Sequence, residues 1–106
     1  MLRIYSEVLV LIRDLQPFIV RIERRDADLG RQFRRALASV ALNLAEGSLS
    51  QGGHRGSRYH SAMASCRESQ ACLEVAEALS YIEAVPFPLS DRFGKVIATL
   101  RKVLGR

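Results

Sequence analysis

The stretch ASVALNLAEGS, residues 38–48, decides the fold of this 106-residue chain because it is apolar almost all the way around a helix. Within residues 36–45 only Ser39 and Asn43 are polar, and residues four apart lie on the same helix face. A helix that is apolar on all sides must be covered on all sides. The stretch therefore predicts a helix packed within a helical assembly, and Gly47 predicts the end of that helix.

The spacing of apolar residues predicts three further helices. From Tyr5 onward, apolar residues recur at alternating steps of three and four. The pattern continues through Pro17, which predicts one helix with a kink near residues 13–17. Asp26 or Asp28 is expected to cap the helix that follows. The predicted helices span residues 3–24, 27–47, 55–84 and 88–104, with a turn of glycine and serine around residues 50–52.

Helices joined by short connections are typical of an all-α, up-down-up-down antiparallel four-helix bundle. The length suits one such domain over residues 1–106. One bundle covers only one side of residues 36–45, and a second copy of the chain is the simplest cover for the other side. The sequence therefore predicts a homo-oligomer, with burial at the centre of a single bundle as the alternative.

Arginine dominates the charge of the chain. The formal net charge is +5, from 16 basic and 11 acidic side chains. Arginine binds phosphates through two parallel hydrogen bonds, so a nucleic-acid-binding surface is expected around the start of the second helix. Acidic residues stand among these arginines, which leaves local ion pairing as the other interpretation. The five candidate nucleic-acid-binding residues are Arg24, Arg25, Arg31, Arg34 and Arg35.

No residue pattern indicates an active site or a metal centre. Two histidines and two cysteines recur at intervals of six: His54, His60, Cys66 and Cys72. Six helical residues turn a side chain by about 120° and move it by about 9 Å, so these four do not converge on one ion. We therefore expect no catalytic residue, no metal site and no cofactor, and a protein that is not an enzyme.

The cysteines and the length of the apolar runs indicate the cellular compartment of the protein. Cys66 and Cys72 fit a helical pattern and not a disulfide framework. No apolar run is as long as a membrane span. A reduced, cytoplasmic protein without a membrane partner is the simplest interpretation.

Antiparallel geometry predicts a structural polar network between the second and third helices. A carboxylate near a helix C-terminus is disfavoured by the helix dipole, so Glu46 is expected to have a cationic partner. If the two helices turn back around residues 50–52, Glu46 lies level with Arg58, and Asn43 lies nearby. We therefore expect a network of Asn43, Glu46 and Arg58 in which Arg58 pairs with Glu46.

A longer pattern surrounds the opening stretch: a glutamine, an Arg-Ala pair, a Ser-x-x-x-Asn-x-Ala-Glu-Gly core and a later glutamate. Its members are Gln32, Arg35, Ala36, Ser39, Asn43, Ala45, Glu46, Gly47 and Glu68. With this pattern, residues 29–83 resemble the four-helix bundle proteins encoded in intervening sequences of bacterial large-subunit ribosomal RNA genes. They are also similar to a relative of those proteins, the accessory variability determinant of diversity-generating retroelements.

The resemblance implies a ring-like homopentamer of antiparallel bundles with a basic surface. In the retroelement relatives this surface engages nucleic acid and a reverse transcriptase, which makes RNA, DNA and such a protein the candidate partners. Two functions follow for this chain. One is a non-enzymatic oligomer that binds RNA or DNA phosphates through arginines. The other is a protein-interaction scaffold that docks its partner on the acidic face of the third helix.

Overall fold

The computed structural model describes residues 3–50 and 53–105, and all regular structure in these ranges is helical. The all-α class is therefore confirmed. The predicted turn falls partly on residues 51 and 52, which lie outside the described residues. The five helices are α1 (Arg3–Asp14), α2 (Gln16–Arg25), α3 (Ala27–Leu49), α4 (Gly53–Ala78) and α5 (Phe87–Leu104).

The first predicted helix is divided into α1 and α2 by a single residue, Leu15. Pro17 has no amide N–H to donate to the carbonyl group of Arg13. The chain tightens at this point, and the Phe18 N–H donates to the Leu15 carbonyl over 3.0 Å. The prediction of one continuous helix over residues 3–24 was therefore wrong, although the break lies within the range predicted for the kink.

The start of α3 follows the prediction and its end does not. Asp26 caps the helix, with the Leu29 N–H donating to Asp26 Oδ1 over 3.0 Å. The predicted end at Gly47 was wrong, because α3 continues to Leu49. Gly47 is buried, and a Cβ at this position would collide with the ring of Tyr59 on α4. The glycine is therefore required by the close approach of α4 and not by a left-handed backbone.

The helix α4 ends well before the predicted residue 84. Ser80 adopts a positive φ of 62°. The Ser80 N–H donates to the Glu77 carbonyl over 3.0 Å, and the Tyr81 N–H donates to the Ala76 carbonyl over 2.9 Å. These two bonds form a Schellman motif, in which the residue with positive φ is usually glycine. A serine at this position gave no sequence signal for the helix end.

The helix α3 packs against α1, α2 and α4, while α5 packs against α4 and α1. As residue numbers rise along α3, the residues of α4 that it contacts have falling numbers. Ser39 contacts Ser65, and one turn further along α3 Asn43 contacts Arg58. The two helices are therefore antiparallel.

The core lies between the helices and is almost entirely apolar. Ser69 is the one buried polar side chain among the described residues, and its Oγ donates to the Ser65 carbonyl over 2.8 Å. No described helix is both long enough and apolar enough to cross a membrane. The largest fully buried side chains include Tyr59, Phe33, Phe93, Leu15, Ile19, Ile22, Leu44 and Leu100.

A single chain covers only one side of the segment that was expected to be buried all round. Val40 and Leu44 are 2% and 0% exposed, whereas Leu42 is 64% exposed. Ala38 is also exposed, and Leu49 is 83% exposed. Ala38, Leu42 and Leu49 lie on the outer face of α3, and we call them the apolar ridge. The homo-oligomer that would cover this ridge stays a prediction.

Burial raises the pKa of the Cys66 thiol from 9.0 to about 11, against a smaller opposite effect of Arg67. The folded chain favours the neutral thiol over the thiolate. The contribution of this thiol to the free energy of unfolding is therefore complete below pH 9, and it is lost as the pH rises from 9 to 11. For a pKa difference of about two units, the loss at pH 10 is about 1.4 kcal/mol. Denaturant unfolding at pH 8 and pH 10 should therefore show a smaller pH dependence for Cys66→Ala than for wild type. Equal pH dependences would contradict this account.

Candidate nucleic-acid interface

The five predicted arginines lie at the end of α2 and in the first turns of α3, and all are exposed. Two of them form local ion pairs. Arg34 donates to both carboxylate oxygens of Glu23, over 2.8 Å and 3.3 Å. Arg31 pairs with Asp28 over 3.2 Å, one turn earlier on the same helix. Exposed pairs of this kind contribute about 0 to 1 kcal/mol, so Arg31 loses little when it exchanges its partner for a phosphate.

Arg25 connects two corners of the molecule. It donates to the Ser80 carbonyl over 3.4 Å, and its guanidinium lies 5.5 Å from the centre of the Tyr81 ring. The Tyr81 hydroxyl in turn donates to Asp26 Oδ2 over 3.2 Å. These contacts join the α2–α3 corner to the turn after α4, so the observed role of Arg25 is structural.

Arg24 and Arg35 form no ion pair with any residue that the structure describes. Arg24 lies on the outer side of α2, away from the core. Arg35 lies on α3 and lines the groove between α3 and α4. The five predicted arginines therefore do not form one uniform patch, and these two keep their charge available for a partner.

Sequence reasoning missed two further cations on α1 and α2. Arg13 and Arg21 are exposed on the outward side of α1 and α2, and neither forms an ion pair within residues 3–50 and 53–105. Arg21 also lies 5.6 Å from the centre of the Phe18 ring. We call Arg13, Arg21 and Arg24 the outer arginine edge. Its signal was present in the sequence, since these positions lie opposite the apolar seam of the same helices.

The motif residues of α3 and α4 meet in two adjoining grooves of about 510 Å³ and 310 Å³, which we call the polar seam. Both grooves are lined by Arg35 and Ser39. The polar seam thus brings together residues that are more than 30 positions apart in sequence, such as Arg35 and Glu68. Motif residues lining it are Gln32, Arg35, Ala36, Ser39, Asn43, Glu46 and Glu68.

Hydrogen bonds run along the polar seam. Ser65 Oγ donates to Ser39 Oγ over 2.8 Å, and Asn43 Nδ2 donates to the same Oγ over 3.0 Å. Arg58 donates to Asn43 Oδ1 over 3.4 Å. The expected ion pair between Arg58 and Glu46 is not formed in the described chain, so that expectation was wrong. Glu46 is exposed, and water screens the dipole effect on which the expectation rested.

A model of the family described as 23S rRNA-intervening sequence protein matches residues 2–102. The match extends from the start of α1 into the last turns of α5. It includes the whole outer arginine edge and every motif residue of the polar seam. No curated protein and no solved structure matches the chain.

Proposed function

Because the chain belongs to the 23S rRNA-intervening sequence protein family, we propose that it is a non-enzymatic RNA-binding oligomer that contacts phosphates through arginines. The observation that carries the proposal is the outer arginine edge, three exposed guanidinium groups without an acidic partner in the described chain. The family description refers to ribosomal RNA, which favours RNA over DNA as the first ligand to test.

The chemistry of the surface favours phosphate contacts over base recognition. Arg13 lies at the end of α1, and Arg21 and Arg24 lie on α2, so the three guanidinium groups are spread over two helices and can contact several phosphates. Phe33 and Tyr59 are almost completely buried, and the strongly exposed ring of Phe87 lies at the start of α5 and not on the outer arginine edge, so this edge offers no exposed row of rings on which bases could stack. Binding by such a surface depends on charge and varies little with RNA sequence.

The proposed binding unit is the antiparallel four-helix bundle, with α1 and α2 together as its first, kinked member. We propose that copies of this bundle assemble as a ring, a homopentamer by resemblance. The apolar ridge of Ala38, Leu42 and Leu49 supports association, because it is left uncovered in one chain. Repeated arginine edges would then bind one RNA with avidity. The two free cysteines fit a reduced, cytoplasmic setting.

The test is RNA binding over a salt series from 50 to 200 mM, with wild type and Arg21→Glu/Arg24→Glu. We expect the affinity of the wild type to fall steeply with salt, and the variant to bind at least about tenfold more weakly. Loss of two phosphate contacts should also reduce the slope of log affinity against log salt by about 1.5 to 2.

The matched control is Arg101→Glu/Lys102→Glu, which changes the net charge equally near the C-terminal end of α5. It should retain the wild-type salt slope and most of the affinity. Absence of RNA binding by the wild type at 50 mM salt would contradict the proposal. An equal loss in both variants would show that net charge, and not the outer arginine edge, determines binding.

The alternative is a protein-interaction scaffold, with a protein such as a reverse transcriptase as the partner. One observation favours it: carboxylates on α4 and just after it have no cationic partner in the described chain. They are Glu68, Glu74, Glu77 and Glu83. A wild type that binds no RNA at low salt would make this the leading function.

A further inference from the structure

A groove of about 470 Å³ runs between α1 and α5, and this volume is that of a small-ligand site. The described residues that line it belong only to these two helices, so it is separate from the polar seam and from the apolar ridge. Its floor is apolar: Leu11 and Val96 are buried, and Val10 is 44% exposed. The groove therefore leaves apolar surface open to a ligand.

Three cations and one carboxylate line the same groove: Arg3, Arg92, Lys95 and Glu7. Arg3 pairs with Glu7 over 3.5 Å, and Lys95 pairs with Asp91 over 3.7 Å. Each pair joins residues four apart on one helix, and the side chains of Arg3 and Lys95 are 93% and 76% exposed. Exposed pairs of this kind contribute little to stability, so both cations can exchange their carboxylate for a phosphate.

The third cation, Arg92, connects the groove to the outer arginine edge. It donates to Asp14 Oδ2 over 2.8 Å and thereby ties α5 to the end of α1. Asp14 directly follows Arg13, which belongs to the outer arginine edge. An RNA that lies on this edge therefore reaches the groove along α1.

An apolar floor with cations at its rim matches the chemistry of one nucleotide. The flat face of a base packs on apolar side chains, and its phosphate binds a cation. Bases within a duplex are paired and stacked, and extrusion costs least for a base that is already unpaired. The groove therefore fits a nucleotide from a bulge or a loop of RNA better than one from a duplex.

We propose that the groove between α1 and α5 binds one unpaired nucleotide of an RNA whose paired backbone lies on the outer arginine edge. The base packs on Val10 and Val96, and the adjoining phosphate contacts Lys95. The inference rests on the proposed function and names the class of RNA, which is a duplex interrupted by a bulge or closed by a loop. Ser6 is the one uncharged polar side chain that lines the groove in the described chain, so the contact selects an unpaired nucleotide and not a particular base.

The test compares two RNA duplexes of the same length and flanking sequence, one fully paired and one with a single-nucleotide bulge. Wild type should bind the bulged duplex about tenfold more tightly, which corresponds to burial of about 60 Å² of apolar surface. Affinity for the paired duplex reports on the outer arginine edge. The ratio of the two affinities reports on the groove, because a change in net charge affects both duplexes alike.

Val10→Glu places a carboxylate on the floor of the groove and should reduce the ratio to about one, since a buried charge without a partner excludes the base. Val75→Glu is the matched control, because Val75 on α4 is 45% exposed and does not line the groove. A second pair tests the rim without changing the floor. Lys95→Glu should lower the ratio, whereas Arg101→Glu, which makes the same charge change on α5 outside the groove, should leave it unchanged.

Equal affinity of the wild type for the two duplexes would overturn the inference and leave the proposed function in place. A wild-type ratio in both Val10→Glu and Lys95→Glu, or an equal loss in Val10→Glu and Val75→Glu, would also overturn it. Binding of neither duplex by the wild type would overturn the proposed function, and the inference with it.

Discussion

Gly47→Ala is expected to destabilise the protein, while the same replacement at Gly94 is expected to stabilise it. Both glycines lie within helices, where alanine is favoured over glycine by about 1 kcal/mol. At Gly94 an added Cβ meets open space, so this gain is realised. At Gly47 the Cβ would collide with the ring of Tyr59, which is 2% exposed and cannot move aside into solvent. Overpacking of this kind costs about 1 to 3 kcal/mol.

The helix-propensity gain applies to both positions, so the two variants should differ by the overpacking cost, about 1 to 3 kcal/mol in free energy of unfolding, measured by urea denaturation. Gly30→Ala provides a second case, because its Cβ would lie 2.9 Å from the backbone Cα of Glu23 and would force α2 away from α3. Gly30→Ala should therefore lower the free energy of unfolding, as Gly47→Ala does. Equal stabilities of Gly47→Ala and Gly94→Ala would show that the Tyr59 ring adapts, and would refute the packing role of this glycine.

Gly47 also shows where sequence reasoning about the fold stops. The apolar spacing located most helices, and Asp26, one of the two residues predicted as the cap, is confirmed, because both predictions depend on neighbours along the chain. Gly47 was assigned to a helix end because a C-terminal glycine and a close-packed glycine are the same letter in a sequence. Which role applies depends on Tyr59, twelve residues further on, on another helix. At Ser80 the error was the opposite one, because a real helix end was missed. Nothing in the sequence indicates that this serine adopts a positive φ.

Prediction of the candidate interface from the sequence has the same limit. The cluster of arginines was visible in the sequence, but the partners of individual arginines were not. Arg34 on α3 reaches across the α2–α3 corner to Glu23 on α2, and Arg25 reaches the turn after α4. Conversely, Arg13 and Arg21 were missed because they lie on the outward faces of α1 and α2 and do not belong to the arginine run of the sequence. Face positions follow from the apolar spacing, so this part of the interface was predictable, whereas contacts between helices needed the structure.

Asp26→Ala is expected to lower the free energy of unfolding by about 2 kcal/mol, because one side chain serves two elements. Oδ1 caps α3 by accepting from the Leu29 N–H, and the loss of a cap costs about 1 kcal/mol. Oδ2 accepts from the Tyr81 hydroxyl, and this hydrogen bond contributes about 1 kcal/mol more. Asp28→Ala is the control, since Asp28 is exposed, does not cap α3, and contributes only the small effects of a surface ion pair and of a charge in the first turn.

Two further variants separate the two roles of Asp26. Asp26→Asn keeps an oxygen for the cap, since asparagine is as good a capping residue as aspartate, and it should recover at least half of the loss. Tyr81→Phe keeps the ring under Arg25 and removes only the hydroxyl, so it should cost about 1 kcal/mol. Combined with Asp26→Ala it should cost almost nothing more, because the hydrogen bond is already absent. Additive losses in this double-mutant cycle would mean that Asp26 and Tyr81 act separately, and that the α2–α3 corner is not tied to the turn after α4 through them.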